Sequence, residues 1–265
     1  MGDSGLTAPA VHAAPVENHP PHVPASSNEI SVLITGFGPF KTNLVNASYL
    51  IASSLPPSFT FPSPNKADAR RVSIHVHPTP IAVAYATVRE AMPLILEEFA
   101  ASNGGRRPDL IIHIGIAAPR PYYSVETLAH RDDYIITDVE GRAGWEDGEK
   151  LWRQLDLPPV LIPGRASEDP SSASSYQPDE QFLDVWRSFA PQSDLRISKD
   201  AGHYLCDFIF YTSLSLAHQQ GRDRNILFLH VPGGSEDADI EQGRVVALAL
   251  IKAMVTRWID TKHPA

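Results

Sequence analysis

The chain has 265 residues, 43% of them hydrophobic, and a formal net charge of -9 from 22 Lys+Arg and 31 Asp+Glu. That is apolar material enough for one α/β domain of ordinary size, and the negative balance argues against binding nucleic acid or an anionic membrane surface. The single cysteine, Cys206, excludes an intramolecular disulfide, which fits a reducing compartment. Residues 1–28 are rich in Pro, Ala, His and Ser and lack the apolar core of a signal peptide, so a disordered tail and a cytoplasmic protein are expected. His12, His19 and His22 in that tail are too irregularly spaced to read as a metal site. A single domain is expected over 29–265, with no stretch long enough to span a bilayer.

The run Ile30 to Thr35 reads as a buried strand, ended by Gly36-Phe37-Gly38-Pro39-Phe40. A helix is expected around Asn46 to Leu55, and a second strand over Arg71 to His77, where Val72, Ile74 and Val76 alternate with polar residues. Thr79-Pro80 reads as the start of a helix running towards Ala101, kinked at Pro93. Leu110 to Gly115 is apolar on both faces, as in the interior of a parallel sheet. Residues 142–195, with Pro158-Pro159, Pro163-Gly164 and Ser171 to Ser175, predict a loop-rich insertion holding one short helix near Phe182 to Phe189. An amphipathic helix from Ala201 to Gln219, a strand from Asn225 to His230 and a helix from Asp239 to Asp260 close the chain. Strands and helices alternating at these lengths imply an α/β protein, a three-layer α/β/α sandwich on a mostly parallel sheet.

Gly36-x-Gly38 after a strand is a poor dinucleotide motif. The third glycine is missing and Pro39 lacks an amide for a phosphate, so a tight apolar turn with two exposed phenylalanines is the better reading. Cys206 follows Asp200-Ala-Gly-His-Tyr-Leu. Asp200 reads as an N-cap that puts Cys206 near a helix start, where the dipole favours a thiolate; core packing is the competing reading. His230 ends a strand, the place where ligands collect in open α/β sheets and where an imidazole can serve as general base, or can be structural. Glu126, taken alone, reads as a solvated loop carboxylate. Taken together, a thiol on a helix start, a histidine at a strand end and a carboxylate form the pattern that acyl transfer by cysteine requires.

Several motifs in this order resemble the pyroglutamyl peptidase I family. Thr35-Gly-Phe-Gly-Pro-Phe40 is similar to its Thr-Gly-Phe-x-Pro-Phe, followed by Asn46-Ala-Ser48 for Asn-x-Ser. Gly115-Ile-Ala-Ala-Pro-Arg120 with Glu126 resembles Gly-Gln-Ala-Gly-Gly-Arg and its catalytic Glu. Asp132 to Gly141 resembles Asp-x-x-Ile-x-Asp-x-x-Gly with one register slip. Ala201-Gly-His-Tyr-Leu-Cys206-Asp207 resembles Ala-Gly-x-Tyr-x-Cys-Asn, and Phe228-Leu-His230-Val-Pro232 resembles Phe-x-His-x-Pro.

The resemblance covers roughly residues 30 to 260. It implies a cysteine omega-peptidase that removes an N-terminal pyroglutamyl residue from peptides through an acyl-enzyme. Cys206 is then the nucleophile, His230 the base and acid, and Glu126 its orienter, while Phe37, Phe40, Ile116 and Leu205 surround the substrate and Arg120 lies near the reacting carbonyl. No cofactor or metal is implied, and a homo-oligomer is compatible. Departures from the family pattern fall at Ile116 for Gln, Pro119 for Gly, Thr127 for Arg and Arg131 for Asn. They bear on substrate preference and leave two other readings standing: a cysteine amidohydrolase for another small acyl group, and a non-catalytic binding protein on the same fold.

Overall fold

The computed structural model describes residues 29–40, 43–61, 69–171 and 176–262; the expected N-terminal tail lies outside them. The first apolar run forms β1 (Glu29–Gly36). It leads into α1 (Ala47–Ser53), whose N-cap Asn46 accepts from the Ser48 amide. An edge strand that the sequence does not announce, β2 (Ser58–Phe61), precedes β3 (Arg70–Val76). Then come α2 (Tyr85–Ser102), with Pro93 inside it, and β4 (Leu110–Ile116).

The start of α2 corrects the Thr79-Pro80 expectation. Residue 81 instead runs beside β1's exit, with Gly38 donating to the Ile81 carbonyl and Ile81 to Gly36. The free amide of Tyr85 is satisfied by the Asp138 carboxylate at 2.9 Å, from far along the chain.

Short strands β5 (Tyr123–Glu126) and β6 (Ala129–His130) follow β4. The 142–195 region is more ordered than expected. A π-helical turn over Trp145–Glu149 runs into α3 (Lys150–Gln154). After it come β7 (Val160–Leu161), α4 (Glu180–Phe189), capped by Asp179, and β8 (Leu195–Ser198). The chain ends with α5 (Leu205–Gln219), β9 (Ile226–Val231) and α6 (Asp237–Lys262).

Seven strands form one sheet in the order β2-β3-β1-β4-β9-β5-β8. β3, β1, β4 and β9 are mutually parallel, whereas β5 pairs antiparallel with β9 and parallel with β8. One face is covered by α1, α4 and α6, the other by α2 and α5, which gives the three-layer α/β/α sandwich. Every residue of β4 and β9 is buried, consistent with their unbroken apolar runs. Each fully buried Ile or Leu there contributes about 1.5–3 kcal/mol of transfer free energy.

The exception inside β4 is His113, fully buried, with Nδ1 at 2.7 Å from Thr35 Oγ1 and Nε2 at 2.8 Å from Ser213 Oγ. Burial pushes its pKa down to about 3, so the ring is held neutral. No helix among the described residues is long and apolar enough to cross a membrane.

Candidate active site

The carboxyl ends of β4 and β9 meet the start of α5, and the sheet register decides which side chains converge there. In the antiparallel β5–β9 ladder Ser124 lies opposite His230, and Glu126 opposite Phe228. Directly opposed residues and residues two apart share a face, so Glu126 and His230 form a diagonal pair on the face covered by α5. Glu126 Oε1 sits 2.7 Å from His230 Nδ1. Both side chains are buried, at 0% and 4% exposure, so the solvated-loop reading of Glu126 gives way to a strand-borne, enclosed carboxylate.

An ionised carboxylate only accepts, so Nδ1 carries the proton and Nε2 is the basic nitrogen of the neutral ring. Arg120 Nη1 donates to the same Oε1 at 3.0 Å and to Ser124 Oγ at 3.0 Å, and its Nη2 donates to the Asp200 carbonyl at 3.1 Å. The guanidinium thus ties β5 to the segment that leads into α5. Among the described residues Glu126 Oε2 has no hydrogen-bond partner.

Cys206 is the second residue of α5. The N-cap is Tyr204 rather than Asp200, whose side chain instead accepts from the Gly202 amide at 2.8 Å within a local turn. Gly202, at φ 75°, makes that turn possible. With no side-chain cap, the first-turn amides of α5 remain as donors at the thiol.

The sulfur reaches the sheet over Gly115, the β4 residue paired with His230. A Cβ at that glycine would lie 3.0 Å from Cys206 Sγ and 2.6 Å from the Phe228 ring. The absence of a side chain at 115 therefore lets the thiol lie over the strand position that is paired with His230. Among the described residues no hydrogen bond joins Sγ and the imidazole.

Burial, reinforced by the charges of Glu126 and Asp207 and opposed by Arg120, pushes the thiol pKa up to about 12. The sulfur is protonated at rest, and a thiolate forms only when a base takes that proton.

A narrow cleft opens beside Cys206, lined by Phe37, Phe40, Asn46, Val83, Ile116, Tyr204 and Leu205. Phe37 is only 4% exposed and Phe40 is half-buried, which corrects the expectation of two exposed rings. Phe37, Phe40, Ile116 and Leu205 are thus brought together with Cys206. Arg120 is not among the lining residues and binds Glu126 instead.

Three lining residues were missed. Asn46 and Tyr204 lie inside motifs already quoted. Val83 falls in the segment read as helix and carries no local signal. Asn46 spends its amide on the fold, donating to the Gly38 carbonyl at 2.8 Å and accepting from Ser48.

No family model matches the chain. Pyroglutamyl-peptidase 1 of Mus musculus is 29% identical to it over 231 residues, 85% of this chain and 90% of that one. The pyrrolidone-carboxylate peptidase of Pyrococcus furiosus is 26% identical over 204 residues, 77% of this chain and 81% of that one. In fold, the chain is similar to the pyrrolidone carboxyl peptidase from Thermococcus litoralis, with a TM-score of 0.62 at 18% identity, covering 88% of this chain and 96% of that one. It is also similar to pyroglutamyl peptidase I from Bacillus amyloliquefaciens, with a TM-score of 0.61 at 19% identity over 86% and 97% of the two chains. The likeness carried by the short motifs therefore extends over most of the chain.

Proposed function

We propose that the chain is a cysteine-type pyroglutamyl peptidase that hydrolyses the N-terminal pyroglutamyl group from peptides, with residues 29–265 as its catalytic unit. The observation that carries this reading is the buried Glu126–His230 pair, 2.7 Å apart, set beside a thiol that Gly115 admits to the sheet.

In the reaction, His230 Nε2 takes the Cys206 proton as Sγ attacks the pyroglutamyl carbonyl carbon. The imidazolium then gives that proton to the leaving peptide amine, and the acyl group remains as a thioester on Cys206. A water deprotonated by His230 attacks the thioester carbon, and the sulfur leaves to regain its proton. Glu126 holds the ring in its Nδ1-protonated form and stabilises the imidazolium, while Arg120 acts as a positioning residue that fixes Glu126. The uncapped amides of the first turn of α5 are the donors suited to the developing oxyanion.

The apolar cleft suits a flat, uncharged lactam ring. A free N-terminal glutamate would bring unpaired charges into it. A prolyl group is cationic and lacks the ring carbonyl, so a buried donor would lose its partner. The unpaired single thiol accords with a reducing, cytoplasmic setting.

The test is turnover of a chromogenic pyroglutamyl amide beside prolyl and acetyl amides, in the wild type and in Cys206→Ala. Pyroglutamyl turnover that is selective and lost by several orders of magnitude in the variant is expected. Equal turnover of the prolyl amide, or an active Cys206→Ala, refutes the assignment.

A further inference from the structure

On the far side of the first turn of α5 from the proposed chemistry, two histidines and a carboxylate meet. Asp207 follows Cys206 directly and is fully buried. His130 arrives on β6, and His203 lies just ahead of the helix. Asp207 Oδ2 is 3.0 Å from His130 Nδ1 and 4.0 Å from His203 Nδ1, which also donates to the Asp132 carbonyl at 3.0 Å, and the two imidazole centroids are 4.7 Å apart. One donor atom from each residue fits within a sphere of mutual distances no greater than 4.8 Å.

A buried carboxylate is ordinarily paired with a fixed cation or bound to a metal. Among the described residues the ionic partners of Asp207 are these two titratable histidines, and neither Lys nor Arg reaches it. The carboxylate is also oriented from behind, since the His130 amide donates to Oδ1 at 3.1 Å. The Tyr134 hydroxyl donates to the His130 carbonyl and braces β6. Donors that are themselves held by an outer layer of hydrogen bonds are the usual setting of a metal ligand set. His130 and His203 are 26% and 40% exposed, which gives an ion a path from solvent.

Four-coordinate zinc with bonds of about 2.0–2.1 Å needs donors roughly 3.3 Å apart, close to the 3.0 Å between Asp207 and His130, and His203 joins them by releasing the Asp132 carbonyl. Two imidazoles and one carboxylate select zinc-class cations over magnesium and calcium, which prefer all-oxygen sites.

We propose that His130, His203 and Asp207 form a binding site for one divalent cation of the zinc class, with water in the fourth position, joining β6 to the start of α5. The site takes no direct part in the acyl transfer and stands whether or not the substrate is pyroglutamyl. The ion displaces the proton that otherwise lies between Asp207 and His130 and holds His203 against the helix. Binding therefore stabilises the segment that presents Cys206.

The test uses the full chain stripped by chelation, titrated with Zn²⁺ by calorimetry and with Co²⁺ by visible absorption. One ion per chain is expected, with a raised melting temperature and cobalt bands of a four-coordinate nitrogen and oxygen site lacking sulfur charge transfer. The same stoichiometry is expected in Cys206→Ser and in a variant with His12, His19 and His22 all replaced by Ala. Asp207→Asn, which keeps an acceptor for the His130 amide, should abolish binding, and His203→Gln should weaken it at least tenfold. Because His203 is partly exposed, its variant decides the matter if Asp207→Asn does not fold. The proposal is overturned by an absence of saturable binding, by unchanged affinity in His203→Gln, by a sulfur–cobalt band, or by loss of binding in the tail variant.

Discussion

Gly115→Ala isolates the geometry on which the proposed site depends, because it adds one methyl group and no new chemistry. The new Cβ would lie 2.6 Å from the Phe228 ring and 3.0 Å from Cys206 Sγ. Ordinary carbon contacts begin near ~3.5 Å, so the ring must retreat by roughly 0.9 Å and the sulfur by roughly 0.5 Å. Phe228 is fully buried, so the ring has little room to move. Overpacking of this kind costs about 1–3 kcal/mol, offset by up to about 1 kcal/mol because alanine has less backbone freedom to lose in a strand. The melting temperature should fall by only a few degrees. Catalysis should suffer more, since a displacement near 1 Å at the reacting atom costs about a hundredfold; a drop of roughly ten- to a hundredfold in kcat/KM is expected. Circular-dichroism melts and initial rates on a pyroglutamyl amide separate the two effects. A variant that melts lower yet keeps wild-type kcat/KM would show that the position of the thiol over residue 115 is immaterial to turnover.

Glu126→Gln should lower kcat by about three to four orders of magnitude yet leave a measurable rate, because His230 still moves the protons while its tautomer is no longer enforced; a silent substitution would remove Glu126 from the proposed triad. Phe40→Ala should reduce the preference for pyroglutamyl over prolyl amides by opening one wall of the cleft, and an unchanged ratio of kcat/KM values would refute that wall's role. His113 makes stability fall on acidification. Its folded pKa of about 3 lies below the unfolded value of 6.5, so under acid conditions only the unfolded chain takes up this proton. At about pH 5 the loss should be about 2 kcal/mol by denaturant unfolding, and His113→Gln should flatten that part of the profile. An unaltered profile in the variant would mean that other groups carry the acid sensitivity.

The elements visible in the sequence were those whose signals are local. Leu110 to Ile116 and Ile226 to Val231 are apolar runs buried on both faces, and Asn46 and Asp179 cap their helices from adjacent positions. β5 was invisible because its inward positions are polar: Ser124 and Glu126 face the site, so an enclosed strand has the alternation of a half-solvated one. The start of α2 was misplaced because its amide is satisfied by Asp138, across 53 residues, while Thr79-Pro80 offered a false local cap. The residues proposed to carry the chemistry lie within short motifs that the sequence displays. Val83 and the His130–Asp207 contact arise from packing between distant segments and have no counterpart in local spacing.

The place of β9 in the sheet bears on synthesis of the chain. β9 lies between β4 and β5, in the interior of the sheet, yet it is the last strand to leave the ribosome. Until it inserts, β4 and β5 each present an unpaired edge, and the apolar residues of α5 lack part of the sheet face they cover. Such edges invite pairing with other chains. The nascent protein is therefore most exposed to aggregation, and still without His230, in the interval before residues 226–231 emerge. A truncation ahead of Ile226 leaves a sheet split in two rather than a body lacking one side chain.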